Sequence, residues 1–474
     1  MNKEEVRSKI PKYVYDIAKK LKQKGFQAYL VGGSVRDILM NRAPKDYDVN
    51  TDALPEDIVD IFPRAVTTGA KFGSIIVLID DEAGETVAVD VTTFRLEEKY
   101  INGRWPSHVE FTSKIEQDLS RRDFTINAIA FNLDREAEDD AILDPYKGEK
   151  DIRDHCIRAV GNAKERLKED ALRTLRACRF SSVLSFELDK EIKDAIPYVL
   201  DMVDNLSAER VRDEFLKILY DSPKPSVGLK LLNETGILKV WIPELLEGVG
   251  VEQPQFHVYD VFTHALRTVD EADDSVKLAA LFHDVAKPRK KLGSHFYGHD
   301  VLGEKMTVEI MKRLRFSNKE INRVSKLVRW HMFYFPYDER DFLEDSSKKR
   351  RSKKISTWSD AAVRRFVKNV GGPDSIDDLI KLRIADATAN PKTSFDKKEI
   401  VALQQRISEV RERDMVMKVT DLDIDGNDLK KLGFKAGPKI GEILNELLEI
   451  VIEDPVMNDR EKLMDIVRDR FLHK

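Results

Sequence analysis

The hydrophobic pattern of the chain changes character near residue 150. Before that point two periods alternate. An apolar stripe at helical spacing predicts an amphipathic helix over about 3–24, ending at Gly25. A short apolar strand, Gln27 to Val31, follows, and Gly32-Gly33 opens a second helix. Ser74–Asp80 and Glu85–Phe94 are rich in β-branched residues and flank Gly84, which predicts a hairpin. Beyond about residue 150 strand signals nearly vanish and helix follows helix. Breaks fall near Ser222–Pro225, Gly248–Pro254, Gly371–Pro373 and Asn390–Pro391. The expected organisation is α+β: a head with a small mixed sheet and helices (1–150), then an elongated all-α neck (151–248), middle (249–392) and tail (393–474). No internal repeat stands out.

The chain has 474 residues and a mass of 54.5 kDa. At roughly 150 residues per domain, that length suits about three domains. Hydrophobic residues make up 42% and charged residues 35%. Such a composition excludes global disorder and low-complexity scaffolds. No run approaches 18 apolar residues, so no membrane helix is expected. The start, MNKEEVRSKI, has no apolar segment of the kind a signal peptide carries. Cys156 and Cys178 fit no metal-binding spacing, which places the protein in a reducing cytoplasm. The net charge of −5 exerts no global pull on nucleic acid. Residues 311–354, with 14 Lys/Arg against 6 Asp/Glu and the run Lys348–Arg351, are either a local RNA patch or a solvated loop.

Asp46-Tyr47-Asp48 is the first candidate for chemistry. In an extended segment alternate side chains share a face, so Asp46 and Asp48 would point the same way and repel unless a divalent cation sits between them. Mg²⁺ suits such a pair, taking carboxylates together with phosphate oxygens. A D-x-D alone is usually a surface turn. Upstream, however, Leu30–Asp37 reads strand, Gly32-Gly33, helix start, a layout in which backbone amides meet phosphate and Arg36 adds a fork of donors.

The sequence from Gly32 through Arg36 to Lys45–Thr51 resembles the signature of the polymerase-β-type nucleotidyltransferases, in the branch of bacterial CCA-adding enzymes and poly(A) polymerases. The likeness extends to Asp118–Ala128, similar to the branch's RRDFTINA motif, and to Leu143–Gly148. It implies that Asp46 and Asp48 hold Mg²⁺ and activate an RNA 3′-hydroxyl, and that Arg121, Arg122 and Asp123 contact ribose and triphosphate. Asp90, read as the end of a strand, is either a third carboxylate or a surface residue at a hairpin end. Leu39-Met40-Asn41 and Phe72-Gly73-Ser74 depart from the usual Leu-Leu-Gly and His-Gly-Thr, and neither change removes a charged group.

In the neck, Asn162 reads as the N-cap of a helix with Glu165 three residues on, and the helix is expected to continue through Phe180. Asp170 and Arg173 would then project together, with Arg176 continuing the row. An acceptor beside a guanidinium can read a base edge; the alternative is an intrahelical salt bridge. The segment resembles the EDxxR motif of bacterial-type CCA-adding enzymes, which implies that Asp170 and Arg173 select the incoming base. Arg179 falls on the apolar side with a partly structural role, and Cys178 reads as core.

In the middle, His264, His283, Asp284, His299 and His331, with Asp386, are similar to the ligand set of HD phosphohydrolases. Imidazole with carboxylate suits a divalent transition metal that activates water against a phosphoester. In the tail, Asp425–Leu429 and Gly433–Gly441 either meet tRNA phosphate or cap packed helices. The resemblance implies addition or repair of the 3′-terminal CCA of tRNA from CTP and ATP. Poly(A) polymerase and an A-only-adding enzyme are the near alternatives. An HD phosphohydrolase with an RNA-docking head and an inactive RNA-binding scaffold are the distant ones. Arg95–Arg104 has the length expected of a full flexible loop, against a CC-only enzyme.

Overall fold

The computed structural model describes all residues except 1–2, 102–104, 135–140, 254–257, 294, 334–358, 371–372, 393–396, 414–418 and 473–474. The basic run Lys348–Arg351 therefore lies outside the described residues. The chain divides into two compact units, Met1–Pro243 and Glu244–Lys474.

Among the described residues, the head of the first unit carries nine strands. They are β1 (Ala28–Val31), β2 (Asp48–Thr51), β3 (Ala65–Val66), β4 (Ser74–Asp80), β5 (Thr86–Thr93), β6 (Arg95–Ile101), β7 (Trp105–Phe111), β8 (Ala130–Asn132) and β9 (Ile142–Leu143). Seven of them form one sheet in the order β3-β4-β5-β2-β1-β8-β9. The intervening β6 and β7 form a separate antiparallel hairpin where sequence reading saw a loop. β2 runs parallel to β5, and every other pairing in the large sheet is antiparallel. The β4–β5 hairpin matches the expected runs around Gly84, with Asp80 opposite Thr86. The helix expected over 3–24 is two, Lys3–Ser8 and Lys12–Gln23, because Pro11 holds the residue before it out of the helical region. The second buries Val14, Ile17, Ala18 and Leu21 and packs on β1. Asn41 turns the chain at a left-handed φ of 59°, a conformation asparagine tolerates.

The neck stacks helices Ala163–Glu169, Leu172–Leu184, Ala208–Asp221 and Pro225–Glu234. A parallel pair, Cys156–Ile157 with Glu187–Leu188, brackets its first two helices; two-residue strands leave no period for sequence to reveal. Cys178 is fully buried there, and burial pushes its thiol up to about 12, in keeping with a core residue.

The second unit is helical. Val261–Glu271, Lys277–Phe282, His299–Arg313, Asn318–Trp330 and Pro373–Thr388 pack together. The tail helices Gly426–Lys431, Pro438–Glu453 and Arg460–Val467 close on Leu429, Leu447, Val451, Ile452, Leu463 and Val467. Asp425 caps the first tail helix, accepting the amides of Asn427 (2.7 Å) and Asp428 (3.1 Å). Among the described residues, no helix is long and apolar enough to cross a membrane.

Candidate functional site

The parallel β2–β5 pairing sets the head's acidic site. It places Asp48 directly opposite Asp90, so Asp90 lies within its strand and not at its end, a correction to the sequence reading. Asp46 precedes β2 in non-strand chain. Burial pushes the Asp48 carboxyl up to about 6; Arg122 pulls it down, and Asp46 and Asp90 push it up again. Three carboxylates whose charges act on one another in this way fit a divalent cation, which would relieve their repulsion. Asp46 and Asp90 are exposed, and Ser74 Oγ donates to Asp90 at 3.2 Å.

Beside the acids, the Gly32 turn takes φ +82°, and a Cβ there would meet Arg122 Nη1 at 2.8 Å. The next residue, Gly33, begins the helix Gly33–Leu39, whose buried Arg36 donates to Asn127 Oδ1 at 2.7 Å. Arg121 and Arg122 converge on Asp118, a fully buried carboxylate that sequence reading gave no role. Burial alone would raise the Asp118 carboxyl, but the charges and hydrogen bonds of the two arginines hold it below its usual range. The signal in the sequence was spacing: Asp118 stands three and four residues before the pair, one helical turn.

Both carboxylate oxygens of Asp123 have partners within the protein. Its Oδ1 accepts from the Phe124 amide (2.8 Å) and Asn127 Nδ2 (3.2 Å), while Oδ2 accepts from Arg176 Nε (2.7 Å). Burial works against its charge, and Arg176 and Asn127 outweigh it, bringing the carboxyl to about 2. The chain Arg36–Asn127–Asp123–Arg176 thus joins the glycine-turn helix to the neck. The guanidiniums of Arg36, Arg176 and Arg179 stand 5.2, 5.3 and 4.2 Å from the centre of the Phe180 ring, close enough for cation–π attraction. Glu214, buried on the helix Ala208–Asp221, offsets this positive cluster through Arg179 (2.9 Å).

The single neck helix expected through Asp170 is broken. Asn162 caps Ala163–Glu169 as expected, accepting the Glu165 amide at 3.1 Å, but Asp170 is extended (φ −143°, ψ 107°) and a new helix starts at Leu172. Asp170 accepts the Leu172 amide at 3.0 Å, so its own carboxylate competes with helix continuation. Asp170, Arg173 and Arg176 therefore do not form one row. Asp170 pairs with Arg210 at 2.7 Å, Arg173 with Glu169, and Arg176 with Asp123. Arg173 also donates to the backbone carbonyls of Arg166 and Arg121, both at 2.9 Å.

In the second unit, the sequence-read ligands converge. His264 Nε2 lies 2.8 Å from Asp386, His283 Nε2 3.1 Å from Asp284, and His299 and His331 Nε2 3.5 and 3.6 Å from the other Asp284 oxygen. Two ligand groups result, His264–His283–Asp284 and Asp284–His299–His331, sharing Asp284. Nδ1 of His283, His299 and His331 faces the carbonyls of Ala280, Phe296 and Val328 at 2.8, 2.7 and 2.6 Å. A carbonyl only accepts, so each Nδ1 carries the proton and each Nε2 keeps its lone pair in the neutral ring. The Nε2 atoms of His299 and His331 stand 3.2 Å apart. A metal ion between them would stabilise that arrangement. Burial brings His299 down to about 4, so it is neutral at physiological pH. For His283 burial opposes the charge, but Asp284 and Asp386 outweigh it and raise its pKa. Lys287 (2.7 Å from Asp284) and Arg383 (2.6 Å from Asp386) are partners that sequence reading missed.

A family model described as "Poly A polymerase head domain" matches residues 28–158, and others match 185–248 ("Probable RNA and SrmB- binding site of polymerase A"), 256–390 ("HD domain") and 387–467 (tRNA nucleotidyltransferase domain 2). The chain is 30% identical over 453 residues to the CCA-adding enzyme of Lactobacillus johnsonii, covering 95% of each protein. It is 31% identical over 453 residues to that of Streptococcus thermophilus, again covering 95% of each. Among solved structures, the Bacillus stearothermophilus CCA-adding enzyme in complex with CTP superposes with a TM-score of 0.65 at 26% identity, covering 97% of this chain and 98% of that one.

Proposed function

The chain belongs to the CCA-adding enzymes, a family of tRNA nucleotidyltransferases, and we propose that it builds or repairs the 3′-terminal CCA of tRNA from CTP and ATP without a nucleic-acid template. The observation that carries this reading is the acidic cluster of Asp46, Asp48 and Asp90 with Arg122 beside it. Mg²⁺ bound by Asp46 and Asp48, with Asp90 opposite, would supply positive charge to the attacking hydroxyl and to the triphosphate. The 3′-oxygen forms a bond to the α-phosphorus, the bond to the β-phosphate oxygen breaks, and pyrophosphate leaves. Asp90, opposite Asp48 and not assigned to the metal, is placed to take the hydroxyl proton. Gly32 and Gly33 let the triphosphate approach the chain, while Arg36, Arg121 and Arg122 neutralise it.

Base selection falls to the neck around Asp170 and Arg173. Arg210 holds the Asp170 carboxylate at 2.7 Å, and Glu169 with two carbonyls holds the Arg173 guanidinium, so both edges are pre-aimed. Arg176 and Arg179 line the adjoining wall, and Asp123 secures it to the head. The head (1–150) transfers, the neck (151–248) selects, and the tail (393–474) contacts tRNA. The test is Asp48→Ala, which should abolish addition of both nucleotides to tRNA lacking CCA. Arg173→Ala should instead retain transfer and lose discrimination among nucleotides. Addition unaffected by Asp48→Ala would refute the assignment.

A second activity is favoured by the shared Asp284 and the aimed Nε2 atoms of the HD-type centre (249–392). His264, His283, Asp284 and Asp386, joined by His299 and His331, would hold a divalent transition metal that activates water against a phosphoester.

A further inference from the structure

Asp118 has no role in the reaction outlined so far, yet several of its parts meet there. Its Oδ1 accepts from Arg121 Nε (3.0 Å), Arg121 Nη2 (2.7 Å) and the Arg95 amide (3.3 Å). Its Oδ2 accepts from Asn50 Nδ2 (3.0 Å) and Arg122 Nη2 (3.2 Å). These donors come from separate elements. Asn50 lies two residues beyond Asp48 on β2, Arg95 begins the β6–β7 hairpin, and the two arginines end the helix Ile115–Ser120. A guanidinium offers donors along fixed edges, so an anchor on one edge aims the opposite one. The carboxylate has no solvent exposure, while the Arg121 and Arg122 side chains are 16% and 19% exposed. The anchor is buried, and the aimed groups reach the surface.

We propose that Asp118 is the positioning residue of the triphosphate site. It fixes Arg121 and Arg122 as a pair of donors and registers them, through Asn50 and the Arg95 amide, against the catalytic strand and the root of the hairpin. The inference rests on the assignment of Arg121 and Arg122 to the triphosphate. It does not make Asp118 a catalytic residue, since it touches neither nucleotide nor metal.

The experiment compares D118N, D118E, the double variant R121A/R122A and the control D151N. Asp151 is another buried carboxylate of the first unit, held by Thr125 (2.6 Å) and Arg158 (3.2 Å). Steady-state addition to tRNA lacking CCA gives kcat and KM. Inhibition by inorganic tripolyphosphate, which has no base or ribose, reads the triphosphate site alone. In D118N an amide N–H faces a guanidinium, and loss of charge-assisted bonds should raise KM for CTP and ATP about tenfold to a hundredfold. Tripolyphosphate inhibition should weaken in parallel, with kcat changed less than about threefold. D118E keeps the charge and should recover part of the loss. D151N should lower the melting temperature without moving KM. D118N or D118E that loses stability or kcat while keeping wild-type KM and tripolyphosphate inhibition overturns the proposal. If D118N does not fold, D118E alone decides on the same criterion. R121A/R122A with undiminished tripolyphosphate inhibition would overturn the underlying assignment instead, and the proposal with it.

Discussion

Asp48 carries the largest conflict in the head. Its carboxyl is ordinary at 3.8 in the unfolded chain and about 6 when folded, so the folded state binds the extra proton. The favourable contribution of the neutral acid is complete below about pH 4 and is lost as pH rises through about 6. Asp48→Asn should therefore stabilise the metal-free protein at pH 7.5, by an amount on the order of 1 kcal/mol, while abolishing transfer. Thermal melting at pH 7.5 and pH 4.5 checks this: the gain should shrink at the lower pH, and a destabilised variant at pH 7.5 would contradict it. Asp46 and Asp48 were legible from their spacing after a double glycine. Asp90 was ambiguous, since only the parallel β2–β5 pairing, a long-range event, sets it opposite Asp48. Asp118 showed only its helical spacing to Arg121 and Arg122, while its contacts with Asn50 and Arg95 and that of Asn127 with Arg36 were hidden, because those partners lie far along the chain.

At the scale of elements, the glycine turn and the broken neck helix decide how the site is assembled. Gly32 needs its positive φ and leaves room that Arg122 fills. Gly32→Ala should cost about 1–2 kcal/mol in stability from backbone strain and displace the guanidinium. Denaturant unfolding and KM for CTP should both respond; a variant with wild-type stability would refute the strain. The helix period predicted an unbroken helix through Asp170, because helical spacing continues on both sides of the break. What ends the first helix is local competition from the Asp170 carboxylate, together with its long-range pairing to Arg210. The histidines of the second unit were more legible. Each of His283, His299 and His331 anchors Nδ1 on a carbonyl three residues back, a geometry that the start or end of a helix supplies locally. Mn²⁺ or Co²⁺ should raise the melting temperature of the protein at pH 7.5. The rise should shrink at pH 5.5, because the raised pKa of His283 lets protons compete for its Nε2. His283→Ala should diminish it at both pH values. An equal rise with and without His283 would place the metal elsewhere.

For the whole molecule, the proposed nucleotide transfer and the proposed phosphoester hydrolysis fall in separate compact units, Met1–Pro243 and Glu244–Lys474. Asp46→Ala and Asp48→Ala should abolish nucleotide addition and leave metal-dependent phosphoester hydrolysis in place. His283→Ala should do the reverse, a double dissociation read with tRNA extension and a chromogenic phosphodiester. The change of period near residue 150 made the α+β head and the helical remainder legible in sequence, because core-facing strands and helices impose different spacings. The grouping of the neck with the head was not legible. It depends on buried ion pairs such as Asp123–Arg176, whose members are 53 residues apart.

The most direct measurement supplies the purified protein with tRNA ending before CCA, after C or after CC, and with a generic RNA. Each receives CTP, ATP or both in the presence of Mg²⁺, and products are resolved at single-nucleotide length. Completion of CCA on every tRNA, arrest there, and no growth of the generic RNA are the expected results. Addition of the final A alone, or unlimited A on the generic RNA, would contradict CCA synthesis while keeping a transferase. No addition to any RNA would contradict the transferase itself.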